Sequence, residues 1–136
     1  MGAFEDAQIR AIVRAVEGFT ERVIIRLALN ITDQLIRYTP VDTGWARANW
    51  VPSIGASSDS PATSQPTPSL VASASSSQAA GQAGLLSYKL PRGSIFISNN
   101  VPYIGRLNDG SSAQAPAGFV QASIRRGISN TEAQVR

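Results

Sequence analysis

The side chains of this chain that could do chemistry are carboxylates, arginines and one lysine, Lys89. The chain has nine Asp and Glu residues and contains neither His nor Cys. This composition excludes thiol nucleophiles, thiolate zinc ligands and the usual general base near neutral pH. We therefore predict no metal site and no cofactor.

The carboxylates also lack the spacing of a general acid and base pair. Most of them fall on a predicted first helix as a solvated face, and Asp59 and Asp109 lie in linker or turn contexts where Asp is common. Lys89 does not follow a Gly, as the lysine of a phosphate-binding loop does. The Ser-rich runs have the composition of a linker. We predict that the chain is not an enzyme.

Arginine accounts for all but one of the 12 basic residues, and the net charge is +3. The planar guanidinium suits ion pairs with carboxylates or phosphates at interfaces. A nucleic-acid-binding surface usually concentrates basic residues, whereas here they are scattered and Arg125 and Arg126 form the closest group. A small nucleic-acid-binding module, using the arginines of the first helix or this pair, is our alternative hypothesis.

The overall composition favours a subunit of an assembly. Only 15% of the residues are charged, compared with about 25% in a typical soluble domain, while 43% are apolar. A chain with few charges covers its surface with small neutral residues or with other protein, as obligate subunits do. No apolar run approaches the roughly 20 residues that span a bilayer, and the first ten residues carry acids instead of the bases of a signal peptide. We expect no membrane contact, and synthesis in a cytoplasm.

The residues before position 39 form the first structural element, on which the rest of the domain must be positioned. Apolar residues recur there at steps of three or four, which predicts one long amphipathic helix. They are Ile12, Val16, Phe19, Val23, Leu27, Ile31, Leu35 and Tyr38. Further apolar residues at 24, 25 and 29 widen the stripe in the second half. Two interpretations stay open: a central core helix, or a helix that packs on its own sheet and on a neighbouring subunit.

The segment from 55 to 84 has a different composition. It is nearly all Ser, Ala, Gly, Gln, Thr and Pro, with Asp59 as its one charge. Such a stretch buries too little surface to offset its ordering entropy, so we predict an extended arm inserted between strands and laid over neighbouring subunits. The alternative is an ordinary surface loop.

Shorter elements complete an α+β domain spanning residues 1–136. A strand is predicted to begin near residues 48–51, and two more at 85–90 and 94–98. A helical turn is predicted at 103–107 and a C-terminal helix from Pro116 to about Gly127, followed by a frayed tail after Ser129. The long N-terminal helix would pack on this small antiparallel sheet.

Two segments resemble a known group of proteins. The first is TPVDTG at 39–44, followed by Arg47, Asn49 and Trp50, which is similar to a signature of phage tail-completion proteins. The second consists of ISNNVPYI at 97–104, RLNDG at 106–110 and QAPAGFV at 114–120. It resembles a block of the same group, which includes the minor tail protein Z-like family. Trp45 stands where that group has a long aliphatic residue.

The resemblance implies a virion structural protein of the phage neck, without catalysis. Such proteins form a ring, commonly of six copies, at the tail end that joins the tail to the DNA-filled head. The implied partners are copies of the chain itself, head-completion or connector proteins, and tail-terminator or tail-tube proteins. Genomic DNA would pass through the lumen without sequence recognition.

The two segments also supply the residues that we expect at an interface. These are Asp42, Arg47, Trp50, Asn99, Asn100, Pro102, Tyr103, Leu107 and Asn108. Pro and aromatic side chains offer apolar area at little entropic cost, and Asn side chains can bond irregular backbone into one shape. Pro40, Gly44, Gly110 and Gly118 are expected to form turns. The alternative for all of these residues is that they only shape loops within one subunit.

Overall fold

The structure, a computed structural model, describes residues 2–41, 44–59 and 62–136. Along the chain it contains helix α1 (Ala3–Tyr38), helix α2 (Trp45–Ala48), strand β1 (Val51–Ile54) and helix α3 (Pro68–Leu85). A 3₁₀ turn at Leu90–Arg92 leads to strand β2 (Ile95–Ser98), helix α4 (Ile104–Asn108) and helix α5 (Phe119–Val135). The α+β class, the long N-terminal helix and the C-terminal helix are confirmed.

Helix α1 is continuous over 36 residues, including Gly18, and would be about 54 Å long at the standard rise. It ends at Tyr38, and the next residue, Thr39, has extended angles because the following proline disfavours the helical conformation. Asp33 and Arg37 form an ion pair of 3.3 Å one turn before that end. The predicted helix and its stop are both confirmed.

The two halves of α1 have different surroundings. The buried residues of the helix all lie in its second half, and Thr32 and Leu35 are almost completely covered there. Residues 7–17 are all exposed. The domain body therefore holds only the C-terminal half of α1, and the N-terminal half extends beyond it.

Helix α5 runs antiparallel to the second half of α1. Ser123 lies beside Gln34, and Asn30 donates hydrogen bonds to Thr131 and Gln134, at 3.0 and 2.9 Å. Between these contacts the two backbones nearly touch. A β-carbon placed on Gly127 would lie 2.6 Å from Cγ1 and 2.8 Å from Cα of Ile31. Glycine at 127 is thus a condition for this helix crossing.

The C-terminal helix differs from its predicted bounds at both ends. It begins at Phe119 and not at Pro116, because Gly118 has left-handed angles (φ 78°). It continues past Gly127 to Val135, so the predicted frayed tail is wrong. Polar bonds from α1 to Thr131 and Gln134, which hydrophobic periodicity does not reveal, hold the last turns.

The predicted extended arm is wrong for its second half. Residues Pro68–Leu85 form helix α3, which begins with Thr67 capping the N–H of Leu70 and with proline in the first turn, where it is favoured. Small residues suit this helix because it lies close to β1. A β-carbon on Gly81 would be 2.6 Å from the carbonyl oxygen of Pro52. Leu85, fully buried, anchors the C-terminal end.

The observed sheet lacks one of the predicted strands, so its strand pairing differs from the prediction. Residues 85–90 are not a strand; they include the end of α3 and the turn that leads to the 3₁₀ segment. β2 instead pairs antiparallel with β1, from Val51 opposite Ser98 to Ile54 opposite Ile95. The Ser/Ala-rich segment lies between these two strands in sequence. Tertiary pairing across some forty residues decided the partner, and local alternation could not reveal it.

We predict that Gly127→Ala lowers the free energy of unfolding by about 1–3 kcal/mol, because the added methyl group overlaps Ile31 side-chain and backbone atoms. Urea denaturation followed by circular dichroism measures the change. The matched control is Gly84→Ala in α3, where a β-carbon meets no atom within 4 Å. It should raise stability by up to about 1 kcal/mol through helix propensity. Equal stabilities for the two variants would contradict the close crossing.

Candidate assembly interface

The four predicted turn residues lie where the chain changes direction. Gly44, Gly110 and Gly118 all have positive φ, of 73°, 96° and 78°. Residues with a β-carbon rarely adopt these angles, so each turn depends on glycine. Pro40 is buried directly after α1. Asp42, which we expected at the interface, lies outside the described residues.

Asn108 closes the loop that precedes α5. Its carbonyl oxygen accepts a bond of 2.7 Å from the Gly118 N–H, and its side-chain Oδ1 accepts one of 3.0 Å from the Val120 N–H. Gly110 lies against Ala117 inside the same loop. One Asn residue therefore fixes both the ends of the loop and the start of α5.

Asn99 joins the two segments that carry the family resemblance. Its Nδ2 donates to the Ala46 carbonyl at 2.8 Å, and its Oδ1 accepts from the N–H of Val101, a core residue. Asn100 is more exposed and donates to the carbonyl of Ser58 at 2.6 Å. The segment at 44–50 and the segment that begins at 97 are thus parts of one bonded cluster.

Arg47 and Trp50 are used within the subunit. Nη2 of Arg47 donates to the carbonyls of Arg37 and Thr39, at 3.2 and 3.1 Å, and so caps the end of α1. Its Nε is buried without a hydrogen-bond partner among the described residues. The indole of Trp50 is 6% exposed and donates from Nε1 to the hydroxyl of Thr39 at 2.7 Å.

Tyr103 and Leu107 are half-buried and line an open groove of about 610 Å³, which we call the loop groove. Its other lining residues are Pro40, Ala46, Arg106, Ser111, Ser112, Ala113 and Gln114. Gln114 accepts a bond of 2.9 Å from the N–H of Val41, which holds the loop against the end of α1. Pro102 is exposed beside Tyr103. The groove has mixed apolar and polar walls with one arginine, which suits a protein segment better than a small ionic ligand.

A second uncovered surface lies on the N-terminal half of α1. We call it the α1 stripe; it consists of Ile9, Ile12, Val13, Val16 and Phe19, whose exposed fractions range from 47 to 64%. Phe4, near the tip of the helix, is 75% exposed. The loop residues that we predicted as the interface do not include this stripe. Its signal was the helical periodicity, which marks an apolar face without saying what covers it.

Two other kinds of site concern the part of the chain that the structure describes. No group of three or more acidic side chains there is placed to hold a metal ion. Among the same residues, no helix has the length and hydropathy needed to cross a membrane.

Comparisons of the chain with protein-family models, with curated proteins and with solved structures gave no match.

We predict that Thr39→Val lowers the free energy of unfolding by about 1–3 kcal/mol, because it leaves the buried Nε1–H of Trp50 without an acceptor. Thermal and urea unfolding measure the change. The matched control is Thr20→Val, whose hydroxyl bonds only the Val16 carbonyl one turn away, and its effect should stay within about 0.5 kcal/mol. If the two variants were equally stable, the Thr39–Trp50 contact would not be a stabilising bond.

Proposed function

We propose that this chain is a structural subunit of the neck of a tailed phage. In this role it forms a ring, of six copies, at the end of the tail and joins the tail to the DNA-filled head. Its partners are copies of itself, head-completion or connector proteins, and tail-terminator or tail-tube proteins. The genome passes through the lumen without sequence recognition, and the mature protein resides in the virion.

One observation carries the proposal: the two segments that resemble tail-completion proteins meet around the loop groove. They are separated by about fifty residues of chain, yet Asn99 bonds directly to the carbonyl of Ala46. Ala46 from the first segment and Tyr103 and Leu107 from the second then line the same groove. Residues that recur together in such proteins would be expected to share a surface.

The bonding around the groove suits a contact between rigid partners. Asn99, Asn108 and Gln114 each accept or donate hydrogen bonds that tie their loops to a helix or to a helix end. A loop that is already ordered loses little conformational entropy when a neighbour docks, so more of the contact energy appears as affinity. Tyr103, half-buried at its base, is the type of side chain that often anchors an interface.

We predict that Tyr103→Ala reduces the joining of heads to tails by about tenfold or more, which corresponds to the loss of about 1.4 kcal/mol at one contact. The test supplies the variant to a phage that lacks the gene and counts complete particles by electron microscopy. Separate full heads and separate tails should accumulate. Native mass spectrometry of ring complexes isolated from virions should show six copies.

The matched control is Phe96→Ala, which removes an exposed aromatic ring from β2, outside the loop groove. This variant should give normal particle yields. Circular dichroism should show that both variants remain folded. The proposal would be overturned if loss of the gene left head–tail joining intact, or if purified virions did not contain the protein.

A nucleic-acid-binding module is the second candidate, because of one feature on α5. Arg125 and Arg126 line a cleft of about 520 Å³ with Gln34, Tyr38, Ala122, Ser129 and Asn130. The guanidinium of Arg126 stacks 4.2 Å from the centre of the Tyr38 ring, and both residues line the cleft. Such a cleft could take the phosphate of a nucleic-acid backbone.

If this cleft binds DNA, the logarithm of the affinity for duplex DNA will fall linearly with the logarithm of the salt concentration. Arg125→Ala will then make that slope shallower by about one. Arg10→Ala, on the far half of α1, is the matched control and should leave the slope unchanged. Fluorescence anisotropy with a labelled duplex measures both. Binding that does not respond to salt, or to Arg125, would exclude the cleft.

A further inference from the structure

The α1 stripe continues the face of α1 that α5 covers. Over the second half of α1, the covered face includes Asn30, Ile31 and Gln34. Steps of three and four residues lead from these positions through Leu27 and Val23 to the stripe. Helix α5 ends at Val135, beside Asn30. Leu27 and Val23 are half-buried, and from Phe19 toward the N-terminus the apolar residues of this face are exposed.

The size of this surface fits a stable pairing of two chains. A fully exposed Phe offers about 150–250 Å² and Val or Ile somewhat less, so Phe4 and the five residues of the stripe at these exposures present roughly 600 Å². A typical monomer has a largest apolar patch of about 300–600 Å². Two copies that cover each other's stripe would bury about 1,200 Å², at the lower end of the 1,200–2,000 Å² of a standard interface.

A groove beside the stripe complements the tip of the same helix. This basic groove, of about 460 Å³, is lined by Arg22, Ile25, Arg26, Leu29, Asn30, Leu86 and Gln134. The tip of α1 carries exposed Phe4 and the acids Glu5 and Asp6. An aromatic ring followed by two carboxylates matches a groove with aliphatic walls and two arginines. The two surfaces lie about twenty residues apart on one straight helix and cannot meet within a single chain.

We propose that a second copy of this chain packs the N-terminal half of its α1 antiparallel against the α1 stripe. The second helix then covers the face of α1 that lies beyond the end of α5. In this arrangement Ile9 of each copy lies opposite Phe19 of the other, and Ile12 lies opposite Val16. Val13 lies near the two-fold axis. The tip of each helix reaches the basic groove of the other copy.

The polarity follows from charge and from the existing packing. In a parallel pair the acids at position 5 of both copies would lie side by side, and both basic grooves would stay empty. The antiparallel pair instead brings the end of each helix that carries Glu5 and Asp6 to the level of Arg22 and Arg26 on the other copy. It also repeats the direction in which α5 already packs on α1. A contact of this kind uses the same patch on both copies and ends at two chains. It involves a surface distinct from the loop groove and does not rest on the phage assignment.

The first test is the mass of the full chain in solution, by light scattering and sedimentation over a range of concentrations. We expect a dimer, and we expect Val16→Asp to raise its dissociation constant by about a hundredfold or more, because a carboxylate would be buried without a partner. The matched control, Arg14→Asp, places the same charge on the opposite side of the helix and should leave the dimer intact. Unchanged circular dichroism excludes unfolding as the cause.

The second test is cross-linking, which reports the polarity. The chain contains no cysteine, so a single substitution supplies its only thiol. Val13→Cys should form a disulfide-linked dimer under mild oxidation, because the position lies near the two-fold axis. Ala3→Cys should not, because antiparallel pairing separates the two copies of that residue by about 30 Å along the axis. Equal cross-linking at both positions would overturn the antiparallel arrangement.

Other outcomes are equally decisive. A chain that stays monomeric at every concentration overturns the pairing, as does a hexamer whose mass does not respond to Val16→Asp. A monomer that binds anionic lipid vesicles through the stripe would assign the surface to a membrane instead. Failure of the dimer can be distinguished from failure of the proposed function, because a variant can retain the dimer and lose head–tail joining, or the reverse.

Discussion

The contact between α5 and the second half of α1 is the constraint on which the other elements depend. It requires a residue without a side chain at Gly127, where Ile31 of α1 occupies the space of a β-carbon. With α5 held there, Asn108 caps its first turn and closes the preceding loop. That loop in turn forms one wall of the loop groove. The shape of a candidate binding surface thus depends on a helix crossing about two turns farther along α5.

Small residues have a similar role in α3. The segment has few large apolar side chains, so it contributes little burial of its own apart from Leu85 at its end. Its small side chains let the helix backbone approach β1 closely at Gly81, and Gln78 then donates to the carbonyls of Arg47 and Trp50, at 2.9 and 3.1 Å. Polar bonds and backbone proximity, more than hydrophobic area, hold this helix on the body.

These two packing modes explain which elements could be predicted from the sequence and which could not. Strong periodicity and a proline stop were enough to predict α1, and Gly44, Gly110 and Gly118 could be predicted as turns because few other residues adopt those angles. Helix α3 was missed because the prediction weighed apolar area and overlooked the Thr67 cap followed by proline. The partner of β2 was missed because strand pairing depends on distant residues. The loop groove needs both segments in place, so its existence could not be deduced from either segment alone.

The uneven anchoring of α1 also has a consequence for the way its free half becomes ordered. An isolated helix of some sixteen residues is marginal in water because forming its first turn is costly. Here that step is already complete, since the covered half supplies a formed turn from which the helix can extend residue by residue. A molecule that binds the free half of α1 therefore meets a helix that is already formed. The free-energy cost of nucleating that helix has largely been offset by the contacts of Thr32 and Leu35 in the domain body.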